Sequence, residues 1–383
     1  MGSSLRKTLA QTRAMKENIP ATTEDTELLY QKALALLQTL IRTPSFSREE
    51  EKTADLIKAF FAENGIVCER KSHNVWARNK FFDPALPTIL LNSHHDTVKP
   101  NAGWQRDPFA ATIEDGKLYG LGSNDAGGCL VALLATFLHI YDRPGLHYNL
   151  IMAATAEEEI SGTQGLELIL PKLGEIAFAV VGEPTQMQMA VAEKGLLVLD
   201  CVAYGKAGHA ARDEGENAIL KALQDINWFQ AYDFPKVSEF LGPVKMSVTQ
   251  IKAGTQHNVV PDRCEFTVDV RVTDSYTHEE ILATIRANVG SEVTPRSMRL
   301  RPSGIAKDAP LVQAGLALGL QMYGSPTTSD QALLPVPSLK IGPGNSARSH
   351  TADEFIYLHE LKNGIETYQK LLNQLLYSLN YPC

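Results

Sequence analysis

The sequence predicts an α/β protein in which a helix-covered sheet domain is interrupted by a smaller inserted domain. Three observations carry this. The chain has 383 residues, more than the roughly 250–300 that a single core supports. Short, wholly apolar runs bounded by turn residues alternate with helical patterns, as strands buried on both faces of a sheet do. Between residues 196 and 296 the rhythm changes to the order β-α-β-β-α-β, the split pattern of ferredoxin-like domains.

Along the chain, Thr26 to Arg42 has the period of an amphipathic helix and stops before Pro44. Ser47-Arg-Glu-Glu50 is a capping-box pattern that opens a second helix to about Asn64. Buried strands are expected at Thr88–Asn92, Asn149–Thr155, Ala177–Val181 and Ser338–Ile341, with helices at Gly127–Tyr141 and near Gly162–Leu170. In the inserted part, strands fall at Leu196–Tyr204, Lys245–Ile251, Cys264–Val272 and Val293–Leu300, and helices at Ala218–Trp228 and His278–Val289. A long helix from His359 to Ser378 ends the chain. The domain expectation is therefore 1–195 with 297–383 for the larger part and 196–296 for the insert, with 1–25 a flexible leader. Residues 1–16 hold Arg6, Lys7, Arg13 and Lys16, no acid and no apolar segment, so an extension upstream of Met15 is preferred to a targeting peptide.

Composition narrows the function. With 44% apolar and 21% charged residues the chain has ordinary globular make-up, and a net charge of −8 argues against nucleic acid as partner. The apolar stretch Cys129–Ile140 is shorter than the roughly 20 residues that span a bilayer, so no membrane association is expected. Five cysteines with no C-x-x-C spacing fit a reducing, cytoplasmic compartment.

The residues directly after each buried run carry the chemistry. Thr88–Asn92 leads into Ser93-His94-His95-Asp96, Asn149–Thr155 into Ala156-Glu157-Glu158-Glu159, Ala177–Val181 into Gly182-Glu183-Pro184, and Ser338–Ile341 towards Arg348-Ser349-His350. Sites in open α/β sheets form at the carboxyl ends of strands, so four strand ends deliver His or Glu to one edge. A fifth segment, Tyr119-Gly-Leu-Gly-Ser-Asn-Asp125, sets an acid in a glycine-rich turn before a helix. Imidazoles and carboxylates together suit zinc. The candidate ligands exceed the need of one tetrahedral ion. Two ions about 3.5–4 Å apart use them better, with one shared carboxylate offsetting their repulsion; Asp125, in its turn, is the choice for that bridge. Each motif alone has a bland reading: a hydrogen-bonded histidine, a solvated run of glutamates, a turn. Their coincidence at successive strand ends favours the metal.

In family order the chain carries SHHDTV at 93–98, YGLGSNDAGG at 119–128, TAEEE at 155–159, VGEPT at 181–185 and SHTADE at 349–354, with GKAGHAA at 205–211 and NVVPD at 258–262 in the insert. In these residues, and over essentially everything after residue 27, it resembles the zinc amidohydrolases that include acetylornithine deacetylase, succinyl-diaminopimelate desuccinylase, aminoacylase and carboxypeptidase G. The resemblance implies a zinc-exopeptidase-like three-layer catalytic domain with a mixed central sheet and a ferredoxin-like lid that also dimerises. It implies two Zn2+ per subunit, with Co2+ or Mn2+ as substitutes. His94, Asp125 and Glu183 would hold one ion, and His350, Asp125 and Glu159 the other. Asp96 would orient His94, Glu158 would be the general base, and His209 would stabilise the oxyanion across a homodimer interface. His95 takes the variable middle position of the His-x-Asp motif and is read as a packed histidine. Gly127 departs from the Lys that many members carry there. Arg271 and Asn258 resemble residues that grip substrate, with Lys194, Arg348 and Ser329-Asp330 as further candidates that have salt-bridge or cap readings of similar weight.

The stretch 342–354 looks more like the acetylornithine, acetylcitrulline and acetyl-lysine deacetylases, so the expectation is an N-acetylornithine or N-acetylcitrulline (or N-succinylornithine) deacylase of arginine biosynthesis. Succinyl-diaminopimelate desuccinylase is the alternative, a di- or carboxypeptidase a third reading, and an inactive metal-binding paralogue a remote one.

Overall fold

The computed structural model describes residues 23–212 and 214–377; the leader expected at 1–25 falls almost entirely outside them. In chain order the strands that matter are β1 (Cys68–Lys71), β2 (Asn74–Arg78), β3 (Thr88–His94), β4 (Asn149–Thr155), β5 (Phe178–Val181), β6 (Met189–Glu193), β7 (Gly195–Tyr204), β8 (Lys245–Ala253), β9 (Arg263–Val272), β10 (Glu292–Pro295) and β11 (Ser338–Lys340). The helices are α1 (Thr23–Ile41), α2 (Glu51–Glu63), α3 (Gly128–Ile140), α4 (Leu166–Leu173), α5 (Ala218–Ala231), α6 (His278–Asn288), α7 (Pro310–Ala317) and α8 (Leu358–Leu376).

The chain divides into two units: Met1–Ala190 with Ile305–Met322 and Pro335–Cys383, and Val191–Gly304 with Tyr323–Leu334. The second unit thus takes in a return segment, 323–334, that lies beyond the 196–296 read from the sequence.

In the first unit the sheet runs β1-β2-β4-β3-β5-β11-β6. It is mixed: β4, β3, β5 and β11 are mutually parallel, while β2 joins β4 and β6 joins β11 antiparallel. Every residue of β3, β4, β5 and β11 is buried, which is why the centres of β3, β4 and β5 are continuous apolar runs. Helix α3 packs between α1 and α8 and is buried over most of its circumference. By length and composition Ser123–Ile140 could cross a bilayer, yet 78% of it is buried inside the protein, as a core helix is. The closing helix α8 buries one stripe, Leu361, Ile365, Tyr368, Leu372 and Leu375, at helical spacing.

Helix α2 departs from the capping-box expectation. It begins at Glu51, and its N-cap, Glu50, makes no side-chain cap bond. Ser47 Oγ instead donates to Asp96 Oδ2 at 2.7 Å, because a charge-assisted bond is stronger than a neutral cap bond. Helix α4 starts at Leu166, four residues later than the periodicity indicated; a Cβ at Gly162 would collide with the Glu157 side chain.

The second unit is a four-stranded antiparallel sheet in the order β8-β9-β7-β10, covered on one face by α5 and α6, which is the ferredoxin-like arrangement. Strand β7 alternates buried and half-buried along most of its length, the mark of a sheet covered on one side. Both helices are capped: Asn217 accepts from Ile219 N, and Thr277 forms a reciprocal capping box with Glu280. The last strand stops at Pro295 rather than running to Leu300, since proline cannot donate to a ladder.

Candidate metal centre and active site

The four parallel strands are neighbours in the order β4-β3-β5-β11, so their carboxyl ends form one edge, and the first unit brings His94, Asp125, Glu158, Glu159, Glu183 and His350 together there. Asp125 stands between the two histidines. Its Oδ1 is 3.5 Å from His94 Nε2 and its Oδ2 is 3.6 Å from His350 Nε2. Glu183 Oε1 lies 3.6 Å from His94 Nε2 and Glu159 Oε2 lies 2.8 Å from His350 Nε2. Glu158 Oε2 is 3.8 Å from His94 Nε2.

Local structure sets each of these. His94 is the last residue of β3 and is 1% exposed; its Nδ1 lies 3.0 Å from the backbone oxygen of Asp96 and 3.4 Å from Asp96 Oδ1. Asp125 follows a tight turn in which Gly122 has φ of 75°, with a Cβ there meeting Thr97 at 2.6 Å. The Asp125–Ala126 peptide bond is cis. Glu354, 2% exposed, accepts from the backbone N–H groups of Gly122 (3.1 Å), Asn124 (2.8 Å) and Asp125 (2.9 Å), which fixes this turn. Glu157 and His350 both sit in the left-handed region, at φ of 56° and 60°, a conformation that non-glycine residues adopt where surrounding contacts hold them.

The electrostatics are those of an unneutralised cluster. Burial works against charging His94, but Glu158, Asp125, Asp96 and Glu183 outweigh it and hold its pKa well above that of free histidine. The hydrogen bond to Glu159 lifts His350 to about 9. Burial pushes Glu183 up to about 8, and raises Glu159 against the pull of His350. It also lifts Glu354 to about 8, with the Asp125 charge adding to the effect. For Asp125 burial is outweighed by His94, and its pKa is held below the usual range.

A divalent cation fits this chemistry. The Nε2 of His94 is buried with no hydrogen-bond partner, a cost of the kind that a bound ion removes. The carboxylates of Asp125, Glu158 and Glu183 converge on it. The groups His94/Asp125/Glu159 and His94/Glu158/Glu183 each bring ligand atoms within 4.8 Å of one another. Glu158 is therefore also within ligand reach.

In the second unit, His209 is exposed in a two-residue strand paired with Val259–Val260, beside exposed Asn258. Arg271 is held by Asp269 through two hydrogen bonds and donates to Thr328 Oγ1 at 3.3 Å. Lys194 donates to the Pro243 carbonyl, and Ser329 donates through its N–H and Oγ to buried Glu193. In the first unit, Arg348 Nη2 donates to both oxygens of Glu360, Nη1 donates to the Phe355 carbonyl at 3.3 Å, and the guanidinium lies over the Phe355 ring at 4.8 Å, so it is committed to structural partners. His95 is buried between Thr53 Oγ1 and the His73 carbonyl, each 2.9 Å away, and burial lowers its pKa to about 4. The sequence gives Glu354 no role and Glu50 only that of a helix-capping acid; the acid at 354 inside SHTADE was the available signal for the first.

Residues 90–374 match the model of peptidase family M20/M25/M40. The chain belongs to this family. It is a metal-dependent hydrolase of linear amides. Among curated relatives it is similar to a succinyl-diaminopimelate desuccinylase of Ruegeria sp. (28% identical over 263 residues), a match covering 63% of this chain and 66% of that one. It is also similar to the succinyl-diaminopimelate desuccinylase of Parvibaculum lavamentivorans, 26% identical over 373 residues, with 87% of this chain and 93% of that one covered. Among solved structures it shares the fold of an M20 family metallo-carboxypeptidase from Sulfolobus solfataricus (TM-score 0.71, 19% identity, 90% of this chain and 99% of that one). It also shares the fold of a dinuclear metal binding peptidase of that family from Bacillus subtilis (TM-score 0.69, 18% identity, 91% and 98%). These curated relatives are named for succinyl-diaminopimelate, so they do not bear out the expectation of an acetylornithine deacetylase.

Proposed function

We propose that this hydrolase removes the acyl group from an N-succinyl amino acid, with succinyl-diaminopimelate the first candidate. The observation that carries the chemistry is the pair of distances from Asp125 to His94 and His350; the curated relatives' names supply the acyl group.

In this reading His94, Asp125 and Glu183 hold one cation and His350, Asp125 and Glu159 the other, with zinc the favoured metal and cobalt or manganese as substitutes. The metals would polarise the scissile carbonyl and make water a nucleophile near neutral pH. Glu158, near the cluster and not needed as a ligand, takes the proton from water and returns it to the leaving amine. Asp96 fixes the tautomer of His94 by standing at its Nδ1. His209 would stabilise the developing oxyanion, and Arg271, Asn258, Lys194 and Ser329 remain the candidates for gripping substrate; Arg348 has the weakest claim. A homodimer formed through the second unit and a cytoplasmic location complete the reading. The free thiols of Cys68, Cys129, Cys201 and Cys264 support the latter.

A second reading, acetylornithine or acetylcitrulline deacetylase, is favoured by the residues of 342–354. Comparing kcat/KM for succinyl-diaminopimelate, succinylornithine, acetylornithine and acetylcitrulline separates the two. A preference for succinyl substrates supports the proposal, a preference for acetyl ones replaces it, and no turnover of any of the four overturns both.

A further inference from the structure

Four successive backbone N–H groups at the turn after β4 are each held by a side chain. Ala156 N donates to Asn74 Oδ1 at 3.0 Å, Glu157 N to Glu50 Oε1 at 3.2 Å, Glu158 N to Asp96 Oδ1 at 3.1 Å and Glu159 N to Asp96 Oδ2 at 3.2 Å. The turn needs such a grip. Glu157 is left-handed, so nothing intrinsic to its backbone keeps the chain there, and the next two residues are Glu158 and Glu159.

Glu50 is the charged member of this set that lies outside the family motifs. It is fully buried, a place a carboxylate occupies only with partners. Its Oε1 accepts from Arg48 N (2.7 Å) as well as Glu157 N, and its Oε2 lies 2.6 Å from His73 Nδ1. His73 is braced in turn, its carbonyl 2.9 Å from His95 Nε2. The capping-box acid is thus withdrawn from its helix and turned towards the glutamate run 107 residues later.

We infer that Glu50 is a positioning residue for the general base: by gripping the Glu157 amide it holds the left-handed residue from which Glu158 is aimed. The inference rests on Glu158 being the base, the role proposed for it in catalysis. Glu50 is in neither group of candidate metal ligands, so its loss is expected to misaim the proton acceptor while the ligands stay.

The test compares Glu50→Met and Glu50→Gln with the parent, each loaded with zinc and assayed on whichever succinyl or acetyl substrate the parent turns over. Glu50→Met keeps volume and removes the acceptors; Glu50→Gln keeps an acceptor oxygen. The expected result is a kcat about 10–100-fold lower for Glu50→Met, the scale of a misplaced catalytic group, with KM within about 2-fold and zinc content unchanged. Glu50→Gln is expected within about 3-fold of the parent. Parental kcat in a folded Glu50→Met, a loss confined to KM, or equal damage in both variants would overturn the inference. Should Glu50→Met not fold, amide hydrogen exchange on the unmodified protein decides: the Glu157 amide, the one that Glu50 holds, is expected to exchange at least about 100-fold more slowly than exposed loop amides, and exchange at loop rates contradicts the inference. Assaying Glu158→Gln alongside keeps the two ideas apart, since full activity there refutes the base itself, whereas an inactive Glu158→Gln beside an unimpaired Glu50→Met refutes only Glu50.

Discussion

Glu354 Oε1 accepts the backbone N–H of Asp125 at 2.9 Å. The acid that would bridge two cations is thereby anchored by a second acid that grips its turn through the backbone. Removing such a support lowers metal affinity by roughly 10–100-fold in other metal sites. Glu354→Ala is expected to weaken zinc binding by that factor in a competition titration against a chelator, with the fold retained by circular dichroism. Unchanged affinity would show that the turn holds Asp125 without Glu354.

Glu158→Gln separates binding from chemistry. The amide has the carboxylate's shape but cannot take a proton, so kcat is expected to fall by about 10²–10⁴-fold. Zinc content by elemental analysis is expected to stay at the parental level. Loss of one equivalent of zinc would instead mark Glu158 as a ligand, the role its 3.8 Å approach to His94 also permits.

Metal affinity should depend on pH with a definite sign. Without metal His350 titrates at about 9 and Glu183 at about 8, and both must be deprotonated to act as ligands. Binding therefore releases protons at neutral pH, and affinity rises as pH climbs towards 8–9 and falls below it. Calorimetry in two buffers of different ionisation heat should report net proton release at pH 7; net uptake or none contradicts the protonated resting cluster.

Arg348 offers a contrast. Its guanidinium is mostly buried, paired with Glu360 and stacked on Phe355. Arg348→Ala is expected to cost roughly 1.5–3 kcal/mol of stability, the range for hydrogen bonds to charged groups, visible as a lower denaturation midpoint, while KM stays within about 2-fold. A large rise in KM with unchanged stability would restore it as a substrate ligand.

The strands β3, β4 and β5 were legible because burial on both faces leaves a mostly apolar run, and the candidates His94, Glu158, Glu159 and Glu183 because they come soon after such runs, whereas Asp125 was read from its glycine-rich turn. The supports were not. Glu50 and Glu354 act on Glu157 and Asp125 across 107 and 229 positions, and only the folded chain brings those partners together. Ser47 misled for the same reason: its local pattern promised a helix cap, but Asp96, 49 residues away, supplied a charged acceptor. The return of 323–334 to the second unit likewise depends on pairings that local periodicity does not encode.

Whether two cations share Asp125 is tested most directly by anomalous diffraction from crystals of the zinc-loaded enzyme. Two zinc peaks are expected, one bounded by His94, Asp125 and Glu183 and the other by His350, Asp125 and Glu159, with the Asp125 carboxylate touching both. Two peaks that do not share Asp125, or zinc bound away from both histidines, would contradict the shared bridge.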